Sequence, residues 1–244
     1  MENAIGTRRV RRVRYELQHR EVEVARVEAL GPNFVTITFT GEALEGFASD
    51  SFDDHIKLMV LDAQGEPVGR HYTPRRFDAA ARELTIEFAR HGAGAASAWA
   101  RSTRPGEPAI VAGPRGSLII PTDYDWHLLA GDATALPAIS RRLEELPANA
   151  RAIVVALGEP GDRREFASRA QCDVRWVTGA DAFLATLGAL RLPPGEGFAW
   201  CAGEAAVMAK TREILLREHG LPKEAMRVAA YWKQGASSFH EHLE

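Results

Sequence analysis

The chain has 244 residues, 45% of them hydrophobic, and a formal net charge of −3. Such a chain buries a sizeable core in one large or two small domains, and no global charge excess points to nucleic acid or an anionic membrane as a partner. No apolar run approaches the roughly 20 residues that a membrane span needs.

From the N-terminus, Arg8, Arg9, Arg11, Arg12 and Arg14 break up any apolar leader, so the expected location is cytoplasmic. This cluster reads as a solvated, frayed terminus before it reads as a phosphate-binding arm. Val35, Ile37 and Phe39 then alternate with Thr36, Thr38 and Thr40. Ile56, Leu58 and Val60 share a face opposite Lys57, and Leu84, Ile86 and Phe88 alternate with Thr85 and Glu87. A period of two with one polar side is the mark of antiparallel strands with one wet face. Turn signals separate them at Gly31-Pro32-Asn33, Ala63-Gln64-Gly65, Pro105-Gly106 and Gly113-Pro114, and Gly69 reads as a further turn before Arg70. Residues 1–122 are therefore expected to form a small antiparallel β-barrel.

Past Pro121-Thr122-Asp123 the pattern changes. Leu128 to Ala130, Ile153 to Leu157, Val174 to Val177 and Phe198 to Ala202 are short, nearly continuous apolar runs, as in strands buried on both faces. Helical stripes lie between or after them: Leu136, Ile139, Leu143 and Leu146; Phe183, Leu184 and Leu187; Val207, Ile214 and Leu215. Strand and helix in alternation imply a parallel sheet, so residues 123–244 read as an α/β nucleotide-binding domain. The two cysteines, Cys172 and Cys201, argue against a disulfide framework and read as buried thiols. His240-Glu241-His242 has too few ligands for a metal site, and no metal is assigned.

Chemistry gathers at two places. Arg70, Tyr72 and Thr73 on one extended segment can serve a flavin: a guanidinium for phosphate, a ring against the isoalloxazine and a hydroxyl near its reactive nitrogen. About twenty residues on, Gly94-Ala95-Ala96-Ser97 opens a helix with small residues, leaving backbone N–H groups open to a phosphate or simply capping an Ala-rich helix. Arg70 and this helix start together suit a pyrophosphate, hence FAD rather than FMN. In the second half, Gly131-Asp132-Ala133-Thr134-Ala135 and Cys201-Ala202-Gly203-Glu204 follow strands, where parallel sheets bind ligands. Asp132 or Thr134 also suits an N-cap, and the G-x-G-x-x-G fingerprint is missing.

Gly113-Pro114-Arg115-Gly116-Ser117, Asp123 to Asp132 and Thr134 to Ile139 together resemble the siderophore-interacting proteins. Arg70-x-Tyr72-Thr73-Pro74-Arg75, His91-Gly92, Trp200 to Glu204 and Tyr231-Trp232-Lys233-x-Gly235 are similar too. That family consists of FAD-dependent ferric-siderophore reductases with a ferredoxin-NADP-reductase-like fold, and the likeness runs from about Val22 to Gly235. The resemblance implies FAD held by Arg70, His71, Tyr72 and Thr73, with His91, Gly94, Ala95, Ala96 and Ser97 on its phosphate and adenosine side. Gly131, Asp132, Thr134, Ala135, Gly203 and Glu204 would face NADPH or NADH. Lys57, Arg115 and Lys233 would hold an anionic ferric siderophore, with Trp232 as aromatic wall or core.

Three departures from that family stand out. Ala95 replaces a proline, and Lys233 replaces an arginine, losing bidentate geometry. Thr178-Gly179 stands where an arginine often meets a 2′-phosphate, leaving Arg163, Arg164, Lys210 or Arg212 as substitutes and NADPH only mildly favoured. The expected activity is electron transfer from NAD(P)H through FAD to ferric siderophore, without a side-chain acid or base. A general flavin or ferredoxin reductase and a flavin-free siderophore-binding protein are the alternatives.

Overall fold

The computed structural model describes residues 9–90, 94–236 and 241–242. The first half supplies β1 (Arg11–Arg14), β2 (His19–Leu30), β3 (Phe34–Thr40), β4 (Ile56–Leu61), β5 (Pro67–Tyr72), β6 (Arg76–Asp78) and β7 (Glu83–Ala89). Helix α1 (Ala95–Ser102), β8 (Pro108–Ala112) and β9 (Gly116–Ile119) follow. Seven strands pair antiparallel in the order β5-β4-β8-β2-β3-β7-β6. Their alternating apolar residues converge as the periodicity required: Ile37, Phe39, Ile56, Leu58, Leu84, Ile86 and Val111 make one core, and Trp99 of α1 packs into it. Among the described residues no ladder joins β5 to β6, so the sheet is barrel-like with an open seam. The N-terminal arginines are not frayed from Arg9 onward. Strand β1 pairs with β9, and a Cβ on Gly116 would lie 2.2 Å from the Val13 carbonyl, so only glycine lets the two strands meet.

The second half comprises β10 (Trp126–Gly131), α2 (Leu136–Glu145), β11 (Arg151–Leu157), β12 (Gln171–Val177), α3 (Ala180–Gly188), β13 (Gly197–Glu204), α4 (Ala205–Arg217), β14 (Met226–Trp232) and β15 (Glu241–His242). The order is β12-β11-β10-β13-β14-β15, parallel except for β15. Leu129, Val154 and Trp200 face α2 on one side of the sheet, and Leu128, Val155 and Cys201 face α3 and α4 on the other. Burial on both faces explains the continuous apolar runs.

Four expectations need correcting. The Val174 to Val177 run is not buried on both faces: β12 is the sheet's edge and Val174 is exposed. Cys172, on that strand, is therefore exposed rather than a buried thiol, whereas Cys201 on central β13 is buried. Gly69 sits inside β5, the preceding turn being closed by Asp62 and Gly65. Strand β14, unanticipated, is signalled only by Val228-Ala229-Ala230. His240 lies outside the described residues.

The two halves are locked by polar groups. Trp200 Nε1 donates to Asp53 Oδ1 (2.7 Å) and Arg227 Nε to Asp53 Oδ2 (3.2 Å). Glu87 on β7 accepts from Arg75 and from Arg164, and Arg75 reaches on to Glu144 of α2. Arg141 of α2 donates to the Pro74 carbonyl (2.9 Å) and the Ser49 carbonyl (2.7 Å). Asn33 Nδ2 donates to Asp162 (2.9 Å).

Buried His127, 1% exposed, has Nε2 3.3 Å from the Thr122 carbonyl. Burial, reinforced by the Arg142 charge, pushes its pKa from the ordinary 6.5 to about 4. Between those values the unfolded chain binds more protons than the folded one, so stability falls as pH drops through the window. Relative to His127→Gln, the native chain is expected to lose about 2 kcal/mol more between pH 7 and 4.5. Urea unfolding at the two pH values measures this; parallel losses would refute it.

Candidate functional site

A cavity of about 1080 Å³ runs along the seam and draws its lining from both halves. On the barrel side, β5 contributes Arg70, His71 and Tyr72, with Thr73 just beyond it. The Tyr72 ring is half-buried against Phe88, centroids 4.4 Å apart, and burial raises its phenol pKa. Thr73 is buried and lies near Tyr231 of β14, and burial raises the Tyr231 phenol pKa. Arg70 Nη1 donates to the Gly69 carbonyl (2.8 Å). Register places Lys57 opposite His71, and a Cβ on Gly69 would stand 2.5 Å from Lys57 Cε, so the glycine makes room for the lysine stem.

Across from β5, α1 starts at Gly94 with no side-chain cap. Its first intrahelical bond is Ala98 N–H to the Gly94 carbonyl, so the N–H groups of Ala95, Ala96 and Ser97 have no intrahelical acceptor. Gly94, Ala96 and Ser97 line the cavity, while Ala95 stands behind that surface at the first helical position. His91 lies outside the described residues. An uncapped helix start of small residues, an arginine and a half-buried aromatic ring around one large cavity fit a diphosphate-linked flavin.

On the sheet side the chain reverses between β10 and β13, the crevice where open α/β sheets bind ligands. Asp132, Thr134 and Glu204 line the cavity there. Asp132 also holds the crevice together. Its Oδ1 accepts from Thr134 N (2.9 Å) and Oγ1 (2.6 Å), and its Oδ2 from Glu204 N (2.9 Å) and Trp232 Nε1 (2.8 Å). Burial raises its pKa, and these four bonds oppose the rise. Glu204 Oε2 caps α4 through Ala206 N (2.7 Å) and Val207 N (3.1 Å). Gly131, Ala135 and Gly203 sit behind the lining. A Cβ on Gly131 would lie 2.2 Å from the Ala202 carbonyl, and one on Gly203 2.6 Å from Asp132 Oδ2, so both glycines serve close packing.

Of the basic residues, Lys57 lines the cavity, Arg115 lines a neighbouring one, and Lys233 is exposed just past β14. Partial burial, with the Lys57 and Arg115 charges, lowers the His71 pKa, which puts those cations close together. His55, which sequence reasoning missed, stands between them, its ring 5.3 Å from that of His71. Tyr231 was quoted only within a motif, and nothing in its pattern signalled its place in the cavity lining. Arg164, one of the substitutes named for a 2′-phosphate contact, pairs with Glu87 and lies over Phe34, 4.3 Å from the ring centroid. Among the described residues the lining includes none of Arg163, Lys210 and Arg212, and it does include Glu159 and Gly179.

Two family models match: "Siderophore-interacting protein" over residues 124–235 and "Siderophore-interacting FAD-binding domain" over 23–68 and 61–118. The chain is 34% identical to the NADPH-dependent ferric-chelate reductase of Escherichia coli K12, covering 91% of this chain and 95% of that protein. With the ferric vibriobactin reductase ViuB of Vibrio cholerae it shares 29% identity, covering 91% and 93%. A siderophore utilization protein from T. fusca superposes with a TM-score of 0.88 at 32% identity, covering 94% of this chain and 98% of that one. At 18% identity and a TM-score of 0.70, the ferredoxin reductase of carbazole 1,9a-dioxygenase shares the fold, over 89% of this chain and 70% of its own.

Asp132→Ala is expected to remove four charge-assisted hydrogen bonds, to Thr134, Glu204 and Trp232, destabilising the protein by about 2–3 kcal/mol. It should also release Trp232, read as a shift in tryptophan emission. An unchanged melting temperature and emission would contradict the clamp role.

Proposed function

Because this chain belongs to the siderophore-interacting protein family, we propose that it is an FAD-dependent reductase passing electrons from NAD(P)H to a ferric siderophore. The observation that carries the reading is one cavity shared by a flavin-suited barrel face and the ligand crevice of a parallel sheet. Bound FAD supplies the conversion of a two-electron hydride donor into single-electron transfer. Arg70 and the open N–H groups of α1 would grip its diphosphate, Tyr72 would pack against its ring system, and the Thr73 hydroxyl would stand beside it. The crevice fixed by Asp132 receives the nicotinamide donor, with Glu204 and Trp232 held at its rim. We assign flavin binding to residues 1–122, nicotinamide binding to 123–244, and a cytoplasmic location, where NAD(P)H is at hand.

No side-chain acid, base or nucleophile is required, because an electron moves and the protein's work is positioning and electrostatics. Lys57, Arg115 and Lys233 attract the anionic chelate to the exposed edge of the site. Hard oxygen donors hold Fe(III) far better than Fe(II), so reduction itself loosens the metal.

The purified protein is expected to be yellow and to bleach anaerobically with NAD(P)H. A colourless preparation that FAD does not reconstitute would sink the reading. Arg70→Gln should weaken FAD binding about 10- to 100-fold, the loss of one charge-assisted contact, measured by flavin fluorescence. Neutralising Lys57, Arg115 and Lys233 together should raise KM for ferric chelate and spare a small neutral quinone. Equal loss with both acceptors would favour a general flavin reductase.

A further inference from the structure

A second cavity, of about 580 Å³, adjoins the first, and His55 lines both. One wall is β1 with the start of β9; the other is the segment Asp53 to His55 together with Arg227. Arg12, Val13 and Arg14 of β1 line this cavity, and Arg11 does not. Arg115 lines it too, and its charge reaches His71 in the first cavity, so the two basic clusters form one field.

The wall is built rather than frayed. Tyr15 N–H donates to the Arg115 carbonyl (3.0 Å), and the Tyr15 hydroxyl bonds to Asp50 (2.5 Å) and Ser117 (2.9 Å). Three guanidinium groups lining one concavity repel one another, and among the described residues no carboxylate pairs with Arg12, Arg14 or Arg115. The acids in the wall are engaged elsewhere. Asp53 is bound by Trp200 and Arg227. Asp54 Oδ2 accepts from Ser117 (2.6 Å), Ser49 (2.9 Å) and Ser51 N (3.2 Å). Asp54 is 2% exposed and its Oδ1 has no partner among the described residues. Burial pushes its carboxyl up to about 6, so it offsets little of the positive charge in mildly acidic solution. The result is a fixed, positive concavity next to the site where the metal must accept its electron.

We propose that this cavity is a docking pocket for an anionic arm of the ferric chelate, its phenolate or carboxylate oxygens held by Arg12, Arg14 and Arg115. The inference rests on the reductase reading above and adds a determinant of selectivity: chelates with charged arms gain over neutral ones. The flavin and nicotinamide occupy the first cavity, and a chelate lying against Lys57 extends past His55 into the second.

The test uses the FAD-loaded protein, with steady-state kinetics and tryptophan-quenching titrations. The probes are a trianionic ferric tris-catecholate, a neutral ferric tris-hydroxamate and a small neutral quinone. Arg12→Gln combined with Arg14→Gln is expected to raise KM and Kd for the tris-catecholate about tenfold. It should leave kcat, the tris-hydroxamate, the quinone and the bleaching of the flavin unchanged. Arg11→Gln removes the same charge per residue from a β1 position that does not line the cavity and is expected to do nothing. An unchanged tris-catecholate KM in the double variant, or an Arg11→Gln effect as large as that of Arg12→Gln alone, overturns the pocket. If Lys57→Gln weakens the chelate while the double variant does not, the pocket fails and the reductase stands. If the native protein bleaches with NAD(P)H yet reduces neither chelate, the reductase reading itself fails.

Discussion

Asp53 belongs to the barrel half, yet both its oxygens are held by the parallel sheet, Oδ1 by Trp200 Nε1 and Oδ2 by Arg227. Glu87 is the complementary case on β7, reached by Arg75 from its own half and Arg164 from the other. Removing such carboxylates from water costs several kcal/mol each, and the partners' attraction does little more than offset that cost. What these contacts contribute is geometry: an apolar seam permits sliding, whereas a bifurcated carboxylate fixes one register. The cavity exists only in that register, because its lining is taken from β5 and α1 on one side and from the ends of β10 and β13 on the other.

The same logic operates inside the crevice. Asp132 draws together the loop after β10, the end of β13 and Trp232 at the end of β14. Strands β10 and β13 are adjacent but face opposite progressions of the sheet, with β11 and β12 beyond one and β14 beyond the other. Gly131 and Gly203 let backbone and carboxylate approach at distances no Cβ tolerates. The small residues at these strand ends thus make room for Asp132 and the neighbouring chain, and the ligand gains a surface that is already rigid.

Much of this was legible in the sequence, and the limits follow from physics. Alternation in Val35 to Thr40 and Leu84 to Phe88 reports a single buried face, so it gave the antiparallel half directly. Continuous apolar runs report burial on two faces, which holds for β10 and β13 but not for β12, whose Val174 is exposed because nothing lies beyond the edge. Flavin-suited residues were readable at Arg70 to Thr73 because their chemistry is local. The roles of Asp53 and Glu87 were not, since each depends on a partner more than 70 residues away. Asp132 was read as a ligand contact or an N-cap and Glu204 as a ligand contact; the structure adds that Glu204 caps α4 and that Asp132 also binds Glu204 N and Trp232 Nε1, uses spacing cannot distinguish. Similarly, nothing in Arg12-Val13-Arg14 says that Gly116 will let the strand pair with β9 and place both arginines on one cavity.

The exposure of the basic rim has a consequence for turnover. Accepting an electron makes the chelate more negative, so a buried cationic pocket would hold the product more tightly than the substrate. Lys57, Arg115 and Lys233 are all exposed. At such positions a contact pair is worth about 1 kcal/mol in water-like surroundings, and salt screens it within about 10 Å. Exposed cations of this kind raise the encounter rate without creating a trap, and release is left to the weak affinity of hard oxygen donors for Fe(II). His71 supports the arrangement: partial burial and two neighbouring cations lower its pKa, so its own charge is disfavoured beside Lys57 and Arg115. Steering and release are thereby separated, the first assigned to the protein's surface and the second to the chemistry of the metal.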